Sequence, residues 1–198
     1  MGAVHGIVGI LLAAGIGRRF GGDKLMHPLP DGTPIAVAAA ARLRPACGRV
    51  VAVLRPDHFR LARVLANAGC EIVICPDAAH GMGHSLAAGA SAAADASGWI
   101  VALGDMPCIA TTSHQVVAAS LQAGSSIAAT EFQGRRGHPV GFSGIWLPQL
   151  RALTGDLGGR AILEQNRQHI TLCPVDDPGV ILDIDFVDDL LGMPSVVR

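Results

Sequence analysis

An α/β fold, with a mostly parallel sheet covered by helices on both faces, is predicted from three features of the sequence. Short apolar runs rich in valine and isoleucine recur along the chain, and alanine-rich segments of helical length separate most of them. The runs are apolar throughout rather than alternating, which is typical of strands buried on both faces. The chain has 198 residues, the ordinary size of one domain, and no linker, repeat or low-complexity tract divides it. We therefore expect a single domain over residues 1–198.

The strands and helices are expected to alternate in chain order. The predicted strands are Ile7–Leu12, Arg49–Leu54, Glu71–Cys75, Trp99–Leu103, Ser126–Thr130 and Thr171–Val175. The predicted covering helices are Pro34–Leu43, Asp57–Ala68, Ser85–Ala94, Ser113–Ala123 and Gly159–Gln168, several of which begin near Ser, Asp or Pro. The glycine-rich stretch Gly134–Gly144 is interpreted as an irregular loop of the kind that carries a binding site in this fold class.

The composition excludes several classes of function. Hydrophobic residues make up 50% of the chain and charged residues 16%, so the chain is not mainly disordered, and no apolar run reaches the roughly 20 residues of a membrane span. The formal net charge is −1 and aromatic residues make up 4%, which argues against nucleic acid as a partner. The N-terminal segment has no basic region before its apolar part, so we expect a strand rather than a signal peptide, and a cytoplasmic location.

The five cysteines show no pairing that indicates a metal site. They are scattered, with no CxxC pair, and are interpreted as buried free thiols. Cys108 differs from the others because it adjoins the motif GDMP.

The stretch LLAAGIGRRFGGDK, from Leu11 to Lys24, directly follows the first predicted strand. Ligands of parallel sheets bind beyond the carboxyl ends of the strands, so this stretch is the first candidate for a phosphate-binding loop. A Walker loop is excluded because Asp23 and Leu25 interrupt its pattern, and the dinucleotide fingerprint GxGxxG is incomplete because Phe20 replaces its third glycine. Gly15, Gly17, Gly21 and Gly22 together with the cations Arg18, Arg19 and Lys24 suit a triphosphate. A flexible surface loop with solvated charges is the alternative.

Two further segments supply carboxylates at the same end of the sheet. The run WIVALGDMP ends a predicted strand with Asp105, a plausible ligand of Mg²⁺, although a capping role near Pro107 is the alternative. In ILDIDFVDDL, strand-like alternation puts Asp183 and Asp185 on one face, where one of them could complete a metal site. Asp188 and Asp189 are expected in the first turn of a closing helix.

Two other features near position 81 have competing interpretations. In GMGHSL a helix is expected to start at Ser85, whose hydroxyl would cap it or contact the nucleotide. His80 and His84 are four residues apart, as in helical zinc pairs, but Gly81 and Gly83 argue against a helix there and hence against zinc.

In combination, LLAAGIGRRFGGDK, GDMP and DIDFVDDL resemble the MobA-like nucleotidyltransferases, and more closely the molybdenum cofactor cytidylyltransferases (MocA-like). GMGHSLAAG, GRRGHPVGF and GDLGGRAIL also look like loops of that subgroup, so the resemblance covers nearly the whole chain in the expected order. It implies a Rossmann-like fold of the nucleotide-diphospho-sugar transferase type. It also implies transfer of a nucleoside monophosphate from an NTP to a phosphorylated acceptor, with release of pyrophosphate.

The resemblance also implies roles for individual residues. The stretch LLAAG at the start of the glycine loop resembles that of the family branch that uses CTP. In that branch the backbone around Leu12, Ala13, Ala14 and Gly15 would contact the base and ribose. The remaining nucleotide contacts would come from Gly17, Arg19, Lys24 and Ser85, with Lys24 and Arg19 as the catalytic cations. Asp105 and Asp185 would hold Mg²⁺, and Arg136 and His138 would bind the acceptor.

The implied partners are CTP and a molybdopterin-type cofactor, and a molybdenum-dependent enzyme would receive the product. Alternatives with the same fold are the use of GTP, another phosphorylated acceptor, or a non-catalytic protein that carries the cofactor to its enzyme. A nicotinamide-dependent oxidoreductase is disfavoured because Phe20 replaces the third glycine and Arg55 follows the second strand, where an acidic residue would be needed.

Overall fold

The sheet is the framework of the molecule. A computed structural model describes residues 5–15, 17 and 20–192. Its strands are β1 (His5–Leu12), β2 (Arg49–Leu54), β3 (Glu71–Ile74), β4 (Ala96–Leu103), β5 (Ile127–Phe132), β6 (Arg135–Ser143) and β7 (Ile170–Pro174). They form one seven-stranded sheet in the order β3-β2-β1-β4-β6-β5-β7. All neighbouring strands are parallel except at β6, which pairs antiparallel with both β4 and β5. The predicted α/β fold with a mostly parallel sheet is confirmed.

Helices cover both faces of the sheet, as the sequence predicts. They are α1 (Ile35–Leu43), α2 (Phe59–Asn67), α3 (Met82–Ala92), α4 (Thr111–Gln122), α5 (Leu147–Arg151) and α6 (Arg160–Gln165). Buried residues of α1, α2 and α4 pack with one face of β1, whereas those of α3, α5 and α6 pack with the other face. No helix within the described residues is long and apolar enough to cross a membrane.

The expectation of an irregular loop over Gly134–Gly144 is wrong, because most of this stretch is strand β6. Gln133 and Gly134, with φ of 50° and 76°, make the tight turn from β5. Within the strand, Gly137 and Gly141 leave no room for a Cβ, which would meet the backbone of Val180 and the side chain of Val117 respectively. The glycines therefore permit close packing of a regular strand rather than flexibility.

The segment around Asp183 is not a strand, in contrast to the expected alternation. Residues 182–186 are irregular, and a 3₁₀ helix over Val187–Gly192 follows. Asp189 lies in its first turn, as predicted, and its Oδ2 accepts hydrogen bonds from the backbone N–H groups of Phe186 at 2.7 Å and Asp185 at 2.8 Å. These bonds lower the pKa of the Asp189 carboxyl. The competition of a capping carboxylate for the backbone explains why the strand does not form.

All five cysteines are free thiols, as predicted, and each is buried or half-buried. Burial raises the pKa of Cys108 to about 11, with a further contribution from the Asp177 charge. Cys108 is therefore a thiol rather than a reactive thiolate at neutral pH.

Candidate nucleotide site

A cavity of about 290 Å³ opens at the carboxyl ends of β1 and β4. Its wall combines the glycine loop, the turn that carries Lys24, the end of β4 and the start of α3. The lining residues are Leu12, Ala14, Gly15, Gly17, Lys24, Leu25, Ala78, Met82, Ser85, Leu103, Asp105 and Asp156. The position agrees with the rule that ligands bind beyond the carboxyl ends of parallel strands.

The start of the glycine loop lies along this cavity, with one exception among the predicted residues. Leu12, Ala14, Gly15 and Gly17 line it, whereas Ala13 is fully buried in the core and its N–H donates to the Val53 carbonyl oxygen at 3.0 Å. Gly17 has a φ of +62°, a conformation that favours glycine. Arg18 and the predicted catalytic Arg19 lie outside the described residues.

Lys24 joins the two aspartates predicted to bind a metal. Its Nζ donates to the Oδ2 of Asp105 at 2.8 Å and to the carbonyl oxygen of Ile184 at 2.6 Å, and it lies 3.5 Å from the Oδ1 of Asp185. The Lys24 side chain is 10% exposed, against 25% for Asp105 and 36% for Asp185. The structure therefore places oxygen atoms from two distant segments of the chain around one buried positive charge.

The segment that carries Asp185 is held beside the end of β4 by the backbone. The N–H of Ile184 donates to the carbonyl oxygen of Asp105 at 3.1 Å, and the Ile184 side chain is buried. Asp183, the other candidate of the pair, is exposed. Of the two neighbouring aspartates, Asp185 is the one that reaches Lys24.

Helix α3 forms the opposite wall and begins earlier than the sequence predicts. It starts at Met82 after Gly81, whose φ is +123°, so the expectation of a start and cap at Ser85 is wrong. Ser85 is instead buried inside the helix and lines the cavity. The early start is possible because Gly81 and Gly83 pack directly against the backbone of residues 154–156, and the Gly83 N–H donates to the Gly155 carbonyl oxygen at 2.8 Å.

A second cavity of about 200 Å³ adjoins the first and shares Leu12, Met82 and Leu103 with it. Both predicted acceptor residues, Arg136 and His138 on β6, line this second cavity. The remaining lining residues are Leu86, Val101, Gly137, Val140, Phe142, Leu157, Gly159, Arg160 and Leu163, so the wall is largely apolar.

His138 lines the second cavity together with Arg136 and Arg160. Its Nδ1 is buried and has no hydrogen-bond partner within the described part of the chain. Burial lowers the pKa of His138, against an opposing effect of the Asp105 charge. His138 is therefore neutral at physiological pH.

Several residues of the site were missed by sequence reasoning. Arg55 donates from Nη1 to the Gly15 carbonyl oxygen at 2.9 Å and pairs through Nε with Asp57 at 2.7 Å, so it holds the glycine loop from the end of β2. The other unpredicted residues line the cavity, and they are Leu25, Ala78, Met82, Leu103 and Asp156. The sequence position of Arg55 could have identified it, because the residue directly follows β2, at the end of the sheet where ligands bind.

The pair His80 and His84 does not form a metal cluster with other residues. Their rings are 5.9 Å apart and meet edge to face. Within residues 5–15, 17 and 20–192, no group of three or more His, Cys, Asp or Glu is arranged to hold a metal ion.

Comparison with known proteins assigns a family to most of the chain. The sequence profile of the MobA-like NTP transferase domain matches residues 9–170. Nicotine blue oxidoreductase from Paenarthrobacter nicotinovorans is 33% identical over 93% of this chain and 94% of its own. Purine catabolism protein PucB from Bacillus subtilis is 29% identical over 90% of this chain and 91% of its own.

Solved structures show the same fold over nearly the full length. Rv0371c from Mycobacterium tuberculosis superposes with a TM-score of 0.84 at 27% identity, covering 98% of both chains. A structure of Rv0371c in complex with manganese superposes with a TM-score of 0.80 at 25% identity and covers 96% of this chain and 99% of the other. A related protein of this fold therefore binds a divalent metal ion.

Proposed function

Because the chain belongs to the family of MobA-like NTP transferase domains and is thus a nucleotidyltransferase, we propose that it transfers CMP from CTP to the phosphate of a molybdopterin-type cofactor. Pyrophosphate is the second product. The observation that carries the proposal is a cavity lined by residues of the glycine loop, Lys24 and Asp105, with a second cavity of about 200 Å³ beside it. This arrangement suits a reaction between two bound anions.

The first cavity takes the nucleotide in this proposal. Leu12, Ala14 and Gly15 contact the base and ribose, and Gly17 brings backbone close to the phosphates. Ser85 offers a hydroxyl from the opposite wall. Ala13 supports this wall from the core side, since its side chain is fully buried. Arg19 remains a predicted phosphate ligand.

The residues at Lys24 fit a divalent metal ion. Two carboxylates from different parts of the chain already surround a cation there, the Lys24 ammonium group, together with the Ile184 carbonyl oxygen. Mg²⁺ takes one or two carboxylates from a protein and completes its shell with water and substrate phosphates. Asp105 and Asp185 would hold Mg²⁺. When bound, the metal supplies charge stabilisation at the phosphoryl oxygens.

The second cavity takes the acceptor. The guanidinium group of Arg136 provides a positive charge for the acceptor phosphate, and the apolar wall accommodates a ring system. The neutral imidazole of His138 offers its unpaired Nδ1 to a polar group of the acceptor without adding charge. The two cavities share part of their walls, which supports a proposed arrangement in which the acceptor phosphate would lie beside the α-phosphorus of CTP.

Catalysis in this proposal consists of positioning and electrostatic stabilisation. The acceptor is already a phosphate anion and needs no general base for its attack on the α-phosphorus. Lys24 stabilises the negative charge that develops on the transferred group and on the leaving pyrophosphate. Apolar surface from Leu12, Met82 and Leu103 limits the access of competing water between the two cavities.

The test is pyrophosphate release by the purified protein with Mg²⁺ and molybdopterin, comparing CTP, GTP, ATP and UTP. We expect release with CTP, dependent on the acceptor and abolished in Asp105→Asn. Release with GTP alone would contradict the assignment of cytosine as the nucleotide base but would still support nucleotidyl transfer. Absence of release with all four nucleotides, in protein shown to be folded, would contradict the transfer to molybdopterin and favour a cofactor carrier.

A second candidate function comes from the relative named nicotine blue oxidoreductase, because its 33% identity extends over 93% of this chain. The residue at the position of a third glycine, Phe20, is buried against Leu29, Ile35 and Ile184. The dinucleotide fingerprint is therefore replaced by core packing, which disfavours nicotinamide binding. An assay of the same protein sample for oxidation of NADH and NADPH distinguishes the two functions.

The proposal extends to the domain bounds and the location. Residues beyond 170 belong to the same domain in this interpretation, since β7 pairs with β5 and Asp185 reaches Lys24. We place the reaction in the cytoplasm, where nucleoside triphosphates are available.

A further inference from the structure

Lys24 occupies the position between the two proposed metal ligands. Its Nζ lies within 3.5 Å of three oxygen atoms, which belong to Asp105, Asp185 and the Ile184 carbonyl group. The same side chain lines the nucleotide cavity. The Lys24 ammonium group therefore occupies the place between the two aspartates that the proposed mechanism assigns to Mg²⁺. It also borders the cavity in which the nucleotide phosphates would bind.

We propose that Lys24 is an internal counter-cation that holds Asp105 and Asp185 together in the nucleotide-free protein and moves to the triphosphate when nucleotide and metal bind. The inference rests on the proposed function. It makes metal binding depend on nucleotide binding, since the lysine leaves the carboxylates only when phosphates offer it another partner.

Electrostatics favours this exchange over simultaneous occupancy. A divalent cation placed beside the ammonium group would be repelled by it, and the repulsion is strong in a partly buried site where solvent screens poorly. Conversely, two carboxylates with no cation between them repel each other. Lys24 and a divalent metal ion would therefore compete for Asp105 and Asp185.

The lysine side chain is suited to the movement. Its ammonium group is a compact point charge on a flexible stem, in contrast to the rigid fork of arginine. A Cβ built on Gly17 would lie 3.1 Å from the Lys24 Cβ, so the absence of a side chain at Gly17 leaves room for the stem of Lys24. The proposed change of partners requires rotation about the bonds of the Lys24 side chain.

The sequence provides a direct probe, because Lys24 is the only lysine in the chain. Protein labelled with ¹³Cε,¹⁵Nζ-lysine gives one side-chain signal, and the N-terminal amine is not labelled. We expect this signal to stay in place when Mg²⁺ alone is added and to shift when CTP and Mg²⁺ are added together. An unchanged signal with CTP and Mg²⁺, under conditions where binding is verified by calorimetry, would overturn the inference.

A second measurement uses binding of Mn²⁺ without nucleotide, followed by electron paramagnetic resonance. The variant Lys24→Met keeps a side chain of similar length and removes the charge. Because a repulsive charge is lost from a partly buried site, we expect the variant to bind Mn²⁺ at least about ten-fold more tightly than the wild type does. Lys24→Arg is the matched control because it keeps the charge, and we expect no tightening. Equal or weaker Mn²⁺ binding by folded Lys24→Met would overturn the inference.

The two proposals fail in different ways. If no nucleotide supports pyrophosphate release, the proposed function is wrong, while the Mn²⁺ comparison still reports on Lys24. If release with CTP is observed but the lysine signal does not move, the function stands and the exchange is wrong. If Lys24→Met does not fold, the signal from wild-type Lys24 decides the question alone.

Discussion

The Nε2 of His58 lies 3.0 Å from the Oδ1 of Asp23, the residue that immediately precedes Lys24. His58 is 7% exposed and stands at the start of α2, 35 positions further along the chain. The carbonyl oxygen of Asp23 in turn accepts from the Met26 N–H at 3.1 Å and closes the 3₁₀ turn Lys24–Met26. The pair therefore ties the backbone of the lysine turn to a helix of the core.

Loss of the His58 contact is expected to loosen the lysine turn. We predict that His58→Leu raises the KM for CTP and lowers the free energy of unfolding by about 1 kcal/mol, since the hydrogen bond between buried His58 and exposed Asp23 is lost. Steady-state kinetics and denaturant unfolding measure the two effects. His58→Gln, which retains a donor, should recover part of the KM change. A wild-type KM in His58→Leu would show that the pair does not position Lys24.

The sequence predicted the framework well because strands buried on both faces have an unambiguous pattern. Arg49–Leu54 was predicted with its observed bounds, and the other parallel strands differ by a few residues. Strand β6 was missed because Gly137 and Gly141 were interpreted as part of a flexible loop. In the structure they allow close packing against Val180 and Val117. The spacing of glycines alone does not distinguish a loop from a tightly packed strand.

The candidate site was predicted in its parts but not in its central contact. Lys24, Asp105 and Asp185 were each singled out, yet 81 and 161 positions separate the lysine from the two aspartates. Only the fold brings them together. The alternation that was expected to put Asp183 and Asp185 on one face does not occur, since the segment is irregular. Asp185 was singled out by the family resemblance and not by that alternation.

Asp185 and Asp183 provide a comparison of neighbouring carboxylates. Asp185 lies 3.5 Å from the Lys24 ammonium group, whereas Asp183 is exposed. We expect Asp185→Asn to lower kcat for CTP by about 100-fold or more, by analogy with the loss of one preorganised electrostatic contact. Asp183→Asn should keep a kcat within a few-fold of wild type, and circular dichroism should confirm that both variants fold. Equal losses in the two variants would contradict the assignment of Asp185.

Gly83 controls the fit between α3 and the loop over residues 154–159. A Cβ at this position would lie 2.5 Å from the Thr154 carbonyl oxygen and 2.9 Å from the Gly155 carbonyl oxygen. We predict that Gly83→Ala separates the two segments, costs about 1–3 kcal/mol of unfolding free energy and weakens CTP binding. Calorimetry of CTP binding and thermal unfolding measure these effects. Gly6→Ala is the control, because nothing lies within 4 Å of its Cβ, and comparable losses in both variants would contradict this explanation.

His114 is expected to make the protein less stable in acid. It is 2% exposed within α4, and burial lowers its pKa to about 4 in the folded state, in spite of the nearby Asp177 charge. The unfolded chain has a histidine of ordinary pKa near 6.5, so it binds a proton between about pH 6.5 and 4 that the folded chain does not. Stability therefore falls as the pH decreases through this window, by up to about 3 kcal/mol when the whole shift is counted.

Urea unfolding of the wild type and His114→Gln at pH 7 and at about pH 4.5 measures the effect. Burial lowers the pKa of His138 as well, but that contribution is common to both proteins. The variant should lose less stability than the wild type between the two pH values, and identical losses would show that His114 is not the group responsible.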